Sequence, residues 1–122
     1  LSKTNIMWKD DLKIELPESL LLYDENQINL VGKMILNFKN IDDFYKSFQI
    51  KKNARKKIGE IQLDFNYNFD KRKISFDNVK IDNKPNLKIQ KFIDKFNSNE
   101  NKMLNKILFK NFVSSFFVTY AG

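Results

Sequence analysis

The chain has 122 residues, 42% of them hydrophobic and 14% aromatic, with only 3 Gly and 2 Pro, which suffices for one domain with a buried core and excludes a disordered tail or low-complexity linker. Its 22 basic and 15 acidic side chains give 22 − 15 = +7, a balance that suits nucleic acid or anionic lipid, although a composition rich in Lys, Asn, Ile and Phe and poor in Ala produces the same charge whatever the protein does. The absence of His and Cys excludes a disulfide framework, a thiolate nucleophile, any Ser-His-Asp or Cys-His arrangement and the usual soft metal ligands.

The chain opens on Leu1 rather than Met, with no charged segment followed by an apolar run, and reads as a fragment or a trimmed product. In "DLKIEL", Leu12, Ile14 and Leu16 alternate with Lys13 and Glu15, a short strand closed by Pro17. After "LLLY", the turn-prone Asp24-Glu25-Asn26 leads into "QINLVGKMILNF", a long strand. Ile28, Leu30, Met34, Leu36 and Phe38 share one of its faces, with Gly32 as the gap in that row.

The period then becomes helical. Asn40 is the N-cap and Ile41, Phe44, Tyr45 and Phe48 follow at i, i+3, i+4 and i+7, which predicts one amphipathic helix from Ile41 to about Lys57, or one that frays near Ile50. The "KKNARKK" stretch, with Lys51, Lys52, Arg55, Lys56 and Lys57, is then a basic helix end pointing into water, or a patch for lipid or nucleic acid.

"GEIQLDFNYNFDKRKISFDNVKID" predicts a hairpin turning at Asp70-Lys71-Arg72. Ile61, Leu63, Phe65, Tyr67 and Phe69 line one face, with Gln62, Asp64, Asn66 and Asn68 on the other. On the return strand Ile74 and Phe76 are even-numbered, whereas Val79 and Ile81 are odd, so the apolar row keeps to one face only if a β-bulge lies near Asp77-Asn78. "NKPN" (Asn83 to Asn86) breaks the sheet, Ile89, Phe92, Ile93 and Phe96 form a helical stripe, and "NSNEN" (Asn97 to Asn101) is a loop.

The last segment, "KMLNKILFKNFVSSFFVTYAG", aligns Leu104, Leu108, Phe112 and Phe116 in one row, with Ile107, Phe109, Val113, Phe117 and Tyr120 beside it. It predicts a helix with a wide apolar stripe that packs on the sheet, on another protein or on a membrane surface. Asn105, Lys106, Lys110 and Asn111 interrupt it, so it does not span a bilayer. A strand at "FVSSFFVTY" is the alternative. The sum is one α+β domain, residues 1–122: an antiparallel sheet of about four strands with two or three amphipathic helices packed on one face or end.

Chemistry-bearing groups are few. The carboxylate pairs Asp10-Asp11 and Asp42-Asp43, and Asp77 with Asp82, remain, but neighbours in a helix do not face each other and Asp42-Asp43 suits a helix start. "GKM" lacks the glycine pattern and hydroxyl of a P-loop. No catalytic residue, metal site or cofactor is expected. The aromatic row Phe65, Tyr67, Phe69 and Phe76 is a core, an oily groove or a platform for stacked bases.

From Gly32 to Gly122, the succession "GKMILNFKNIDDFYKSFQ", the basic "RKKI" joint, the "FNYNFD…ISFDNVKID" hairpin, "IQKFIDKFN" and the closing "TYAG" resembles the C-terminal region of AsmA-family envelope proteins. The resemblance implies a periplasmic protein held at the inner membrane through a segment absent from this chain, the alternative being the cytoplasm. It implies a gutter-shaped sheet whose apolar inner face carries phospholipid towards the outer membrane or serves outer-membrane assembly. The lipid-facing or core positions are then Ile28, Leu30, Met34, Leu36 and Phe38 on one strand and Ile61, Leu63, Phe65, Tyr67 and Phe69 on the other. Expected partners are phospholipid or a membrane surface and other envelope proteins; nucleic acid is the runner-up, and a purely structural or interaction domain the third reading.

Overall fold

A computed structural model describes residues 4–8, 12–99 and 106–122. Its organising element is β4 (Gln27–Phe38), which pairs from Asn29 to Asn37 with β5 (Glu60–Asn68) on one side. On its other side two shorter strands lie end to end, β2 (Leu12–Leu16) beside Ile35 to Phe38 and β3 (Ser19–Asp24) beside Gln27 to Gly32. β1 (Thr4–Trp8) pairs β2, and β6 (Lys73–Ile81) and the two-residue β7 (Lys84–Pro85) extend the sheet beyond β5. All pairings are antiparallel, in one seven-stranded sheet among the described residues.

The expected sheet of about four strands is therefore corrected to seven, with three helices; the class remains α+β. The added strands are β1, β3 and β7. β3 carries no alternation because "LLLY" is an edge strand with solvent on both faces, and β7 was hidden inside the "NKPN" break. Two-residue turns close the β3–β4 and β6–β7 hairpins, and both residues of each turn, Glu25-Asn26 and Asp82-Asn83, have φ between 49° and 66°. That twist matches the twist of the strands it joins.

Gly32 is required by a close approach. Where β2 hands over to β3, the backbone at Glu18-Ser19 passes so near that a Cβ on Gly32 would sit 2.6 Å from the Glu18 carbonyl oxygen. Phe65, directly across from Gly32 in β5, fills the space over the gap and is itself buried. The bulge expected in the return strand is present: the register shifts between Gln62 and Asp64, and Asn78 takes φ 51° opposite the shift. Val79 and Ile81 thereby rejoin Ile74 and Phe76 on one face.

The helix expected from Ile41 to about Lys57 is cut short. α1 spans Ile41–Ser47, capped by the Asn40 side chain, which accepts from the Asp42 N–H. It ends in a Schellman motif: Gln49 has φ 55°, its N–H donates to the Lys46 carbonyl, and the Ile50 N–H reaches back to Tyr45. Tyr45 and Ile50 are both fully buried, so packing of the terminal residue overrides the propensity of the basic stretch to continue as helix. "KKNARKK" is a joint with one 3-10 turn at Lys52–Ala54 rather than a helix end. α2 (Leu87–Ser98) and α3 (Lys106–Ala121) follow the predicted stripes, α2 running two residues into the expected loop. "FVSSFFVTY" is helical. Asp10-Asp11, Leu104 and Asn105 lie outside the described residues.

Candidate functional site

The three helices all pack on the same face of the sheet, the one lined by the even residues of β4 and the odd residues of β5. Leu12 and Phe38, Ile61, Val79 and Ile81 join Ile41, Phe44 and Tyr45 of α1, Ile89 and Ile93 of α2 and Val113, Phe116 and Phe117 of α3 in one buried cluster. Aromatic rings stitch it together: Phe44 meets Phe38 and Phe117, and Tyr45 meets Phe117 edge-on at 5.2 Å. The Tyr45 hydroxyl donates to the Lys56 carbonyl, so the buried phenol is satisfied and the basic joint is tied to α1. Burial raises its pKa well above the usual phenol value, with Tyr120 and then Asp42 adding to the rise.

Among the described residues this cover stops partway along the strands. Phe76 is the last sheet residue under it, packed on Phe112 of α3 and Phe96 of α2. Asn97 locks this position: its side-chain amide donates to the Phe76 carbonyl and its oxygen accepts the Phe76 N–H. The next row, Leu30, Tyr67 and Ile74, shares the face and the register but lies outside the buried cluster, as do Ile28 and Phe69 beyond it. Ile28 is 42% and Phe69 47% exposed, and their backbones are joined by the Phe69 N–H to the Ile28 carbonyl. Tyr67 and Phe69 stack edge-on at 5.0 Å in the open part.

The ten sheet-face residues read from the sequence thus divide. Phe38 and Ile61 are core, Leu36 and Leu63 pack against it, and Phe65 is buried over Gly32. Met34, Leu30 and Tyr67 are half-buried, and Ile28 and Phe69 are exposed. Alternation marks a face but carries no information on what covers it. The open region also holds residues the sequence reading missed, Leu21 and Tyr23, which pair Leu30 and Ile28. Ile107, Leu108 and Phe109, on the first turns of α3, are exposed as well, with Phe109 against Phe48 at the end of α1. The result is an apolar gutter closed at one end by helices and, among the described residues, open at the other.

Lys51, Lys52, Lys56 and Lys57 are exposed, whereas Arg55 donates to the Ile50 carbonyl. The joint leads into the start of β5 and the open aromatic pair Tyr67-Phe69 stands at its other end. The charge of this joint and the open rings are therefore separated by the length of a nine-residue strand, roughly 30 Å at about 3.4 Å per residue, so the joint does not wall a stacking groove with them. Lys71 and Arg72, exposed in the β5–β6 turn, are the cations next to Phe69 in the chain.

The carboxylates serve structure. Asp42 and Asp43 lie in the first turn of α1, Asp77 accepts from the Asn78 N–H, and Asp82 accepts from both the Gly59 and Glu60 N–H groups at 2.9 Å. Among the described residues no group of three or more acidic side chains converges, and no helix is long and apolar enough to cross a membrane. No family model, curated protein or solved structure matches the chain.

Proposed function

We propose that this chain is the C-terminal part of an AsmA-like envelope protein that acts without bond-making chemistry, and that the open half of its sheet face receives the acyl chain of a phospholipid. The observation that carries this reading is the apolar stretch outside the buried cluster, half-buried Leu30, Tyr67 and Ile74 and exposed Ile28 and Phe69, continuous with a core that closes the other end. An acyl chain asks only for an apolar wall and a dry end. Each buried methylene contributes about 0.8 kcal/mol, so a short contact gives weak, chemically unselective binding suited to passing a lipid on. Lys71 and Arg72, exposed in the hairpin turn at the open end, supply positive charge for a phosphate headgroup. The helices make this piece the stop of a gutter, consistent with the location at the inner membrane and the role in lipid transport or outer-membrane assembly that the sequence resemblance implies.

Native mass spectrometry of the purified chain tests the reading. Phospholipid is expected to co-purify, and Leu30→Glu or Tyr67→Glu is expected to abolish it while the circular dichroism spectrum is unchanged. Phe65 is unsuitable for this test because it is buried. Lipid that persists in both variants, or a wild-type chain that carries none and takes up none from vesicles, overturns it.

A further inference from the structure

α2 and α3 cover the same face of the sheet but turn different backs to their surroundings. The exposed back of α2 carries Lys88, Lys91, Asp94 and Lys95, as a helix turned to water does. In α3, Val113, Phe116 and Phe117 are buried in the core. The residues on the opposite side of that helix, Ile107, Leu108, Asn111, Ser115 and Val118, are all exposed and none is charged. Ile107 is 72% and Val118 43% exposed. An aliphatic, uncharged back gains by leaving water and has no ion to desolvate in doing so.

The charges beside this back have one sign. Residues 101–122 contain Lys102, Lys106 and Lys110 and no Asp or Glu. Lys110 is exposed and, two turns before Phe117, lies on the flank of α3 that meets Phe44 and Tyr45 of α1. The basic joint is tied to that flank: its turn at Lys52–Ala54 lies against α3, and the Tyr45 hydroxyl holds the Lys56 carbonyl. From Phe44 to Gly59 there are six cationic side chains and no acidic one, the acids Asp42, Asp43 and Glu60 standing at the two ends of the stretch. Lys46, Lys51, Lys52, Lys56 and Lys57 are exposed.

We propose that the back of α3 and the exposed lysines of the joint form a docking surface for an anionic lipid bilayer, in which Ile107, Leu108 and Val118 enter the interface and the lysines meet the phosphates. The sign of the charge selects this occupant. A second copy would bring the same acid-free surface against this one, and like charges would oppose. A nucleic acid would use the lysines but leave the aliphatic back without a partner, since Ile, Leu and Val offer no ring for a base to stack on. An anionic bilayer answers both parts, phosphates to the lysines and an apolar interior to the back. The proposal stands independently of the acyl-chain reading, because the gutter residues Leu30, Tyr67 and Phe69 take no part in it.

Because the chain has no Cys, a single introduced thiol carries an environment-sensitive dye to a chosen place. On vesicles of phosphatidylcholine and phosphatidylglycerol in equal parts, dye at Ile107→Cys or Val118→Cys is expected to shift to the blue and to be quenched by nitroxide lipid. Dye at Lys80→Cys, exposed on the face of the sheet away from the helices, is expected to do neither. Binding is expected to be about tenfold weaker on phosphatidylcholine alone or after Lys51→Glu with Lys52→Glu, to fall with added salt, and to be unchanged by Leu30→Glu, which blocks only the gutter. Equal responses at positions 107 and 80, equal binding to the two kinds of vesicle, or a chain that ignores vesicles while retaining RNA or an acidic protein overturns the proposal.

Discussion

The rings of Phe76 and Phe112 lie 5.4 Å apart, joining the sheet to α3 at the row where helical cover ends. Phe112 also meets Phe92 and Phe96, so one side chain holds the margin of the lid to the sheet and to α2 together. Phe112→Ala is expected to cost about 2–4 kcal/mol, from lost burial and the void left behind. Ile107→Ala, one turn earlier and exposed, is expected to change stability by no more than about 0.5 kcal/mol. Urea denaturation of the two variants checks the contrast; equal losses would mean that α3 is not held where the rings indicate.

Gly32 is expected to tolerate no side chain. A Cβ would lie 2.6 Å from the Glu18 oxygen and about as tightly against Ser19, at 3.0 Å from its Cβ and 3.1 Å from its Cα, and two of the three atoms are backbone. Gly32→Ala is expected to destabilise by about 1–3 kcal/mol, the usual range for overpacking, and Gly32→Val by more. Thermal unfolding monitored by circular dichroism measures both.

The bulge predicts a residue order at position 78. Asn78 has φ 51°, and its side chain donates to Asp64 at 2.7 Å. Asn78→Gly loses that bond and gains backbone freedom, so the two effects offset to within about 1 kcal/mol. Asn78→Val keeps neither and is expected to cost about 2 kcal/mol. Chemical denaturation should rank wild type and Gly together and Val well below.

Tyr45 gives the stability of the fold a pH dependence at its alkaline end. Its phenol is held protonated in the folded state above the value of about 10 at which it ionises in the unfolded chain. The folded state thus retains a proton that the unfolded state gives up, and the stabilisation is complete below pH 10 and lost as pH rises through and above it. Tyr45→Phe forfeits the hydrogen bond to Lys56, at about 1 kcal/mol, but also this titration. The difference between wild type and variant is expected to shrink above pH 10 by up to about 1.4 kcal/mol per pH unit. A difference constant across pH 8 to 11.5 would show the phenol to be free to ionise in the folded protein.

Much of the fold is legible in the sequence wherever a strand has one wet and one dry face. Ile61 to Phe69 declares its face by strict alternation, and the parity change between Phe76 and Val79 announces the bulge at Asn78. Legibility fails at edges: β3 has solvent on both sides and so no period, and β7 is two residues long. It fails again where a helix ends by packing, because the burial of Ile50 behind Tyr45 is a tertiary fact that the Lys-rich continuation gives no hint of. The site was legible as a face and illegible as an opening. Leu63 and Tyr67 occupy equivalent positions in the alternation, and the reach of the helices over the sheet makes one a neighbour of the core and the other part of the gutter.

The central claim, that the uncovered half of one sheet face holds an acyl chain, is tested most directly by NMR of the methyl-labelled chain with a phospholipid carrying a nitroxide on its acyl chain. Broadening is expected at Ile28, Leu30 and Ile74, while Leu20 and Val31, on the opposite face of the same strands, and Ile89 and Ile93, sealed in the core, keep their intensity. Broadening that is equal on the two faces, or confined to Leu20 and Val31, would contradict the account.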